Sequence, residues 1–206
     1  METYPLEHRT FANFLVVKKN IAILASGRGS NALRFFEHFA EHNSVQIVLV
    51  ASNVADAPVL DSAKEYGIET AVITKSNFRE SDEFLSLLQS HQIDYIVLAG
   101  FLWLVPKNLV EAYPDKIFNI HPALLPSYGG KGMYGMNVHR AVKEAGEKES
   151  GMTIHYVNAR YDEGNIIFQA KTTLYATDSA EEIAAKVLKL EHRHYAQVID
   201  DLISAG

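Results

Sequence analysis

Short, uninterrupted apolar runs that alternate with helix-like stretches constrain this chain more than any other feature. Strand candidates are Ile21–Ala25, Val45–Ala51, Thr70–Ile73, Tyr95–Ala99 and Ile117–Ile120. Between them lie helix candidates at Ala32–Ala40, Val59–Tyr66, Ser81–Gln89 and Pro106–Tyr113. Strands apolar at successive positions are covered on both faces, so the pattern predicts a doubly wound, mainly parallel α/β sheet of the Rossmann-like kind. Ligands of such sheets gather outside the carboxyl ends of the strands. After residue 121 the pattern changes. A long loop, Pro122–Met136, precedes a helix at Val138–Ala145. Strands at Thr153–Val157 and Ile166–Lys171 follow, joined by a turn at Asp162–Gly164, and a last helix spans Ala180–Ile203. Loops this long are commonly functional, which makes Pro122–Met136 a candidate lid.

Composition removes several function classes. With 206 residues, 48% of them apolar, the chain suits one domain with a substantial core. A formal charge of −6 argues against broad nucleic-acid binding while leaving room for a local basic pocket. The absence of cysteine excludes disulfides and thiolate metal sites and fits a reducing cytoplasm. No apolar run reaches the roughly 18 residues of a membrane span. Phe11–Val17 is apolar, but Glu2 and Glu7 precede it and no small-residue cleavage site is evident. Residues 1–19 therefore read as an N-terminal extension rather than a signal peptide, and 20–206 as a single domain.

Two motifs fall at predicted strand ends. Ser26-Gly27-Arg28-Gly29-Ser30-Asn31 follows the first strand and opens a helix. Glycines allow a tight turn and close approach to a ligand, and a helix start offers N–H groups to an anion. The spacing is neither Gly-x-Gly-x-x-Gly nor a Walker loop, so a small phosphate monoester is the better ligand. A simple helix cap by Ser30 or Asn31 is the structural alternative. Asn119-Ile120-His121-Pro122 closes the fifth strand candidate. Its amide and imidazole, two residues apart, share a face and can converge on one ligand atom. Such a pair suits oxyanion stabilisation with proton transfer beside it, although a satisfied polar strand end would look the same.

Together with Leu-Ala-Gly-Phe at 98–101, Leu-Leu-Pro at 124–126 and Tyr-Asp-Glu-Gly at 161–164, these motifs resemble the folate-dependent formyltransferase family from about Asn20 onward. The Gly-Ser-Asn loop points to the branch that acts on glycinamide ribonucleotide in purine biosynthesis. The resemblance implies attack of that ribonucleotide's amine on the formyl carbon of the co-substrate 10-formyltetrahydrofolate, without a metal. It assigns catalysis to Asn119, His121 and Asp162, with His155 supporting them. It gives phosphate and ribose contacts to Gly27, Arg28, Gly29, Ser30, Asn31, Arg79 and Glu191. The folate would lie against Phe101, Leu102, Trp103, Leu104, Val105, Asn119, Tyr161 and Asp162. No nucleic-acid or membrane partner is implied, and a weak homodimer is allowed. Well-known relatives often carry arginine at the position of Trp103, which bears on how the folate tail is held. Alternatives within and outside this chemistry are a formyltetrahydrofolate deformylase and a non-catalytic folate- or nucleotide-binding module.

Individual residues carry plainer readings as well. Asp162 and Gly164 suit a turn for local reasons. Arg79 reads as a solvated charge at a helix start, and Glu163 as exposed and dispensable. Glu191 stands four residues from both Val187 and Tyr195, inside the apolar stripe of the last helix, so its head must be paired, ligand-facing or lifted into solvent. His38 and His42 have i, i+4 ligand spacing but no third partner in sequence, which favours a partly solvated helix face. The glycine-rich segment Tyr128–Asn137 is expected to order when substrates bind.

Overall fold

The computed structural model describes residues 18–205, so the proposed extension lies almost wholly outside the described residues. Seven strands form one sheet in the order β3-β2-β1-β4-β5-β6-β7. They are β1 (Lys19–Leu24), β2 (Val45–Ser52), β3 (Glu69–Val72), β4 (Tyr95–Leu98), β5 (Ile117–His121), β6 (Glu149–Tyr156) and β7 (Ile166–Thr173). The first five pair in parallel, while β6 and β7 add antiparallel. The helices are α1 (Ser30–Phe39), α2 (Pro58–Glu65), α3 (Glu83–Ser90), α4 (Lys107–Ala112), α5 (Met136–Glu144) and α6 (Ala180–Ala205).

Period-two alternation divides the buried strand residues between two cores. Ile21, Ile23, Val50, Val97 and Phe118 face the layer of α1, α2, α5 and α6. Their neighbours Ala22, Leu24, Leu49, Ile96 and Ile117 face the layer of α3 and α4. This explains the continuous apolar runs, since each position has a helix layer to bury against. On α1, Ala32, Phe35, Phe36 and Phe39 form an i, i+3, i+4, i+7 stripe. On α6, buried residues recur at four-residue steps from Ile183 to Ile203, with Glu191 among them.

Several boundaries differ from the sequence reading, α5 starting at Met136 rather than Val138 among them. β6 starts at Glu149 rather than Thr153, with Gly151 close enough to β7 that a Cβ would meet Ala170 O at 2.0 Å. A glycine and two polar residues hid that half of the strand. A five-residue π-helical turn, Ser76–Glu80, precedes α3, which begins at Glu83 instead of Ser81. The link between β6 and β7 is longer than a turn at Asp162–Gly164 and includes Val157 and Asn165. His38 and His42 are partly exposed, as expected, and both imidazoles pair with the Asp200 carboxylate on α6, at 2.8 and 3.4 Å, with no group among the described residues arranged to hold a metal.

Candidate active site

The carboxyl ends of β1, β2 and β4 are joined into one surface by Ser26. Its hydroxyl donates to Asn53 Oδ1 (2.6 Å) and accepts from Leu102 N (3.0 Å), while its N–H donates to Gly100 O (3.1 Å). Gly29 then turns the chain into α1 at φ 71°. A Cβ at Gly29 would lie 2.2 Å from Val59 Cγ2, so a side chain there would push α2 away from the loop. α1 begins without a side-chain cap, which leaves the N–H groups of its first turn available to an anion.

A cavity of about 650 Å³ crosses this edge, a size typical of small-molecule sites. Asn31, Leu188 and Glu191 line it from the α1/α6 layer, and Phe101, Trp103 and Val105 from the opposite layer. Asn119 and His121 stand at the end of β5, where the sheet separates the two. Asp162 arrives from the β6–β7 connection at φ 56°, a left-handed conformation that aspartate tolerates better than most residues.

Hydrogen bonds set the orientation of each polar group. His121 is 3% exposed and its Nε2 lies 2.7 Å from Tyr128 O. A carbonyl only accepts, so Nε2 carries a proton and Nδ1 is the nitrogen left to face Asp162 Oδ2, 3.5 Å away. By the same logic His155 donates through Nδ1 to Tyr156 O (2.8 Å), and its Nε2 accepts from Asn119 Nδ2 (3.0 Å). That fixes the amide with one N–H on His155 and the second available to a ligand. Asp162 Oδ2 accepts from Gly130 N (2.9 Å), and Oδ1 is 3.7 Å from His155 Nε2, beyond hydrogen-bond reach.

The electrostatics follow from burial and neighbours. Burial lowers the His121 pKa, and the Asp162 charge and the Tyr128 carbonyl restore only part of it. Burial pushes the Asp162 carboxyl up, while the positive charge His121 can take on and the Gly130 N–H pull it down, and it lies below the usual carboxylate range. Asp162 is therefore ionised at neutral pH, beside an imidazole reluctant to charge. Glu191 is 8% exposed, and burial raises its pKa despite the bond it accepts from Asn31 Nδ2 (2.7 Å). One turn on, the fully shielded Tyr195 hydroxyl lies 3.0 Å from Leu98 O and 3.2 Å from Phe118 O, tying α6 to the end of β4 and to the neighbouring β5.

The structure thus gathers Asn31, residues 101–105, Asn119, His121, His155, Tyr161, Asp162 and Glu191 around one cavity. Gly27, Arg28, Gly29 and Ser30 lie outside its lining, and Arg28 is exposed. Arg79 also lies outside it, its guanidinium 5.4 Å above the Trp103 ring. Glu163 is exposed and paired with Arg160 at 3.0 Å. Sequence reasoning missed the polar wall residues His139 and Arg160, and named Lys131 only as part of the Tyr128–Asn137 segment. Of these His139 left a trace, a titratable residue next to the buried Val138 and three residues before the buried Val142. Lys131 and Arg160 lie in irregular segments, where no periodicity marks a wall residue.

Fold and site define a doubly wound α/β protein whose ligand cleft lies at the point where strand order reverses, between β1 and β4. The pattern of the family described as "Formyl transferase" matches residues 19–199, and the chain belongs to this family. It is 40% identical to a chloroplastic phosphoribosylglycinamide formyltransferase of Arabidopsis thaliana over 88% of this chain. The chain spans 64% of that relative's length. It is 38% identical to the phosphoribosylglycinamide formyltransferase of Haemophilus influenzae, covering 88% of this chain and 85% of the relative. Among solved structures, the phosphoribosylglycinamide formyltransferase from Bacillus halodurans superposes with a TM-score of 0.81 at 32% identity, covering 90% of this chain and 96% of that one.

Proposed function

We propose that this chain transfers the formyl group of 10-formyltetrahydrofolate to the amine of glycinamide ribonucleotide, a step of purine biosynthesis in the cytoplasm. The observation that carries this reading is the convergence of Asn119, His121 and Asp162, from two distant segments, on one cavity with two unlike halves. The half beside α1 and α6 offers Asn31 and Glu191, with the uncapped start of α1 adjacent to it, suited to a phosphorylated sugar. The other half offers Phe101 and an Arg79-stacked Trp103, suited to a flat heteroaromatic ring.

The amine nitrogen attacks the formyl carbon, forming a C–N bond and a tetrahedral oxyanion. The free N–H of Asn119 and a protonated Nδ1 of His121 stabilise that oxyanion. The bond from the formyl carbon to the folate nitrogen then breaks. The proton lost by the amine is taken up by that nitrogen, with Asp162 stabilising the charged imidazole during the transfer. Atoms and charge balance without a further reactant.

Purified protein incubated with 10-formyltetrahydrofolate, with and without glycinamide ribonucleotide, tests this. Formylated ribonucleotide formed only when the amine is present supports the transferase. Loss of the formyl group without the amine would instead make it a deformylase, and no reaction in either case would leave a binding module.

A further inference from the structure

Within electrostatic reach of His121 stands a second buried imidazole for which the proposed chemistry has no use. His139, in the first turn of α5, lines the cavity and is 5% exposed. Its Nδ1 is shielded from solvent and has no hydrogen-bond partner among the described residues. With no acceptor beside it, that sealed nitrogen carries the bare lone pair, which puts the ring proton on Nε2, the nitrogen left to face the cavity.

The fold says which ligand Nε2 faces. Val138 and Val142, flanking His139, pack into the core layer shared with α1 and α6. Asn31 and Glu191 belong to the helices of that layer, whereas Phe101 and Val105 belong to the opposite one. His139 therefore serves the half of the cavity assigned to the ribonucleotide. Burial and the charge of His121 both lower its pKa, which keeps the ring neutral at pH 7, with one N–H to donate. Glycinamide ribonucleotide presents an amide carbonyl one carbon from its reacting amine.

We infer that His139 is an acceptor-binding residue, donating a hydrogen bond to that carbonyl and so holding the neighbouring amine against Asn119 and His121. The inference rests on the proposed function.

The test compares wild type, His139→Leu and His139→Gln by calorimetric titration with glycinamide ribonucleotide and, separately, with tetrahydrofolate. Leucine removes both ring nitrogens, and glutamine returns an N–H at similar reach. The expected result is about tenfold weaker ribonucleotide binding in His139→Leu, with tetrahydrofolate binding unchanged and most of the loss recovered in His139→Gln. On histidine-¹⁵N-labelled wild type, the His139 ring signals, assigned by their absence from His139→Gln, should move on adding ribonucleotide and stay on adding tetrahydrofolate. That readout holds even if His139→Leu fails to fold. Equal weakening toward both ligands, unchanged ribonucleotide affinity, or unmoved ring signals would overturn the inference while the transferase reading stands. A wild type that neither binds nor formylates the ribonucleotide would remove both.

Discussion

In the proposed transfer, His121 and Asp162 divide the work of one proton between an imidazole that resists charging and a carboxylate that resists neutralisation. The imidazole must be protonated at the transition state and the substrate amine neutral, so the two demands oppose each other. Burial places the His121 pKa below its ordinary 6.5, while an α-amino group titrates near 8. The pH profile of kcat/KM for the amine should therefore rise, level off between the lowered His121 pKa and about pH 8, and fall above that. Asp162→Asn removes the charge that favours the imidazolium, so kcat should drop roughly 10²–10⁴-fold and the acidic break move to lower pH. Activity that stays level to pH 9.5 would contradict the protonated role of His121.

Glu191 makes a separate prediction at the same scale. Its folded pKa lies above the ordinary 4.5, so its stabilising effect is complete below that value and is lost as pH rises through the raised pKa. Glutamine keeps an acceptor for Asn31 without the buried charge. At pH 7.5, Glu191→Gln should raise Tm by about 2–4 °C, equivalent to roughly 1 kcal/mol, while KM for the ribonucleotide increases. A lower Tm would mean that the carboxylate charge has a partner other than Asn31.

At the scale of elements, the site depends on segments that carry no regular structure. Gly164 is the clearest case, because a Cβ there would lie 1.6 Å from Tyr156 O on β6. Gly164→Ala forces the connection away from the strand, at a cost of roughly 3 kcal/mol for an overpacked contact. Thermal unfolding should shift down by about 5–10 °C, and activity well below Tm should still fall as Asp162 is displaced. Retention of both would show that the connection relaxes freely. The loop before α5 is tied at two points to the same cluster, through Tyr128 O on His121 and Gly130 N on Asp162. Lys131, exposed beside these anchors, gives trypsin a cleavage point. Cleavage at Lys131 should slow severalfold when both substrate analogues are bound, and equal rates with and without them would sink the lid.

Across the whole molecule, the sheet is both scaffold and partition. One layer brings α1, α5 and α6 to the cavity, the other brings the segment after β4, and β5 ends where they meet. Because each ligand is proposed to bind on its own side, each should stabilise the fold independently. At a hundredfold excess over Kd either one contributes about 2.7 kcal/mol. A shift in Tm with only one of the two would break the partition.

The alternation of apolar runs and helices was enough to place β1 to β5, because a parallel sheet buried on both faces leaves an unmistakable pattern, whereas the antiparallel β6 was seen only in its second half. The Asn119/His121 pair was legible for a similar reason, since a two-residue spacing on a strand dictates a shared face. Glu191 stood out as a charge within an apolar stripe. Other features depended on chain segments meeting across long sequence distances, which no local spacing encodes. His155 orienting the Asn119 amide, Gly130 holding Asp162, Asp200 joining His38 and His42, and Arg79 resting on Trp103 all belong here. Local propensity and periodicity determined which elements form and which faces they bury. Only tertiary packing decided which polar atoms reach the cavity and which, like His139 Nδ1, are sealed away without a partner.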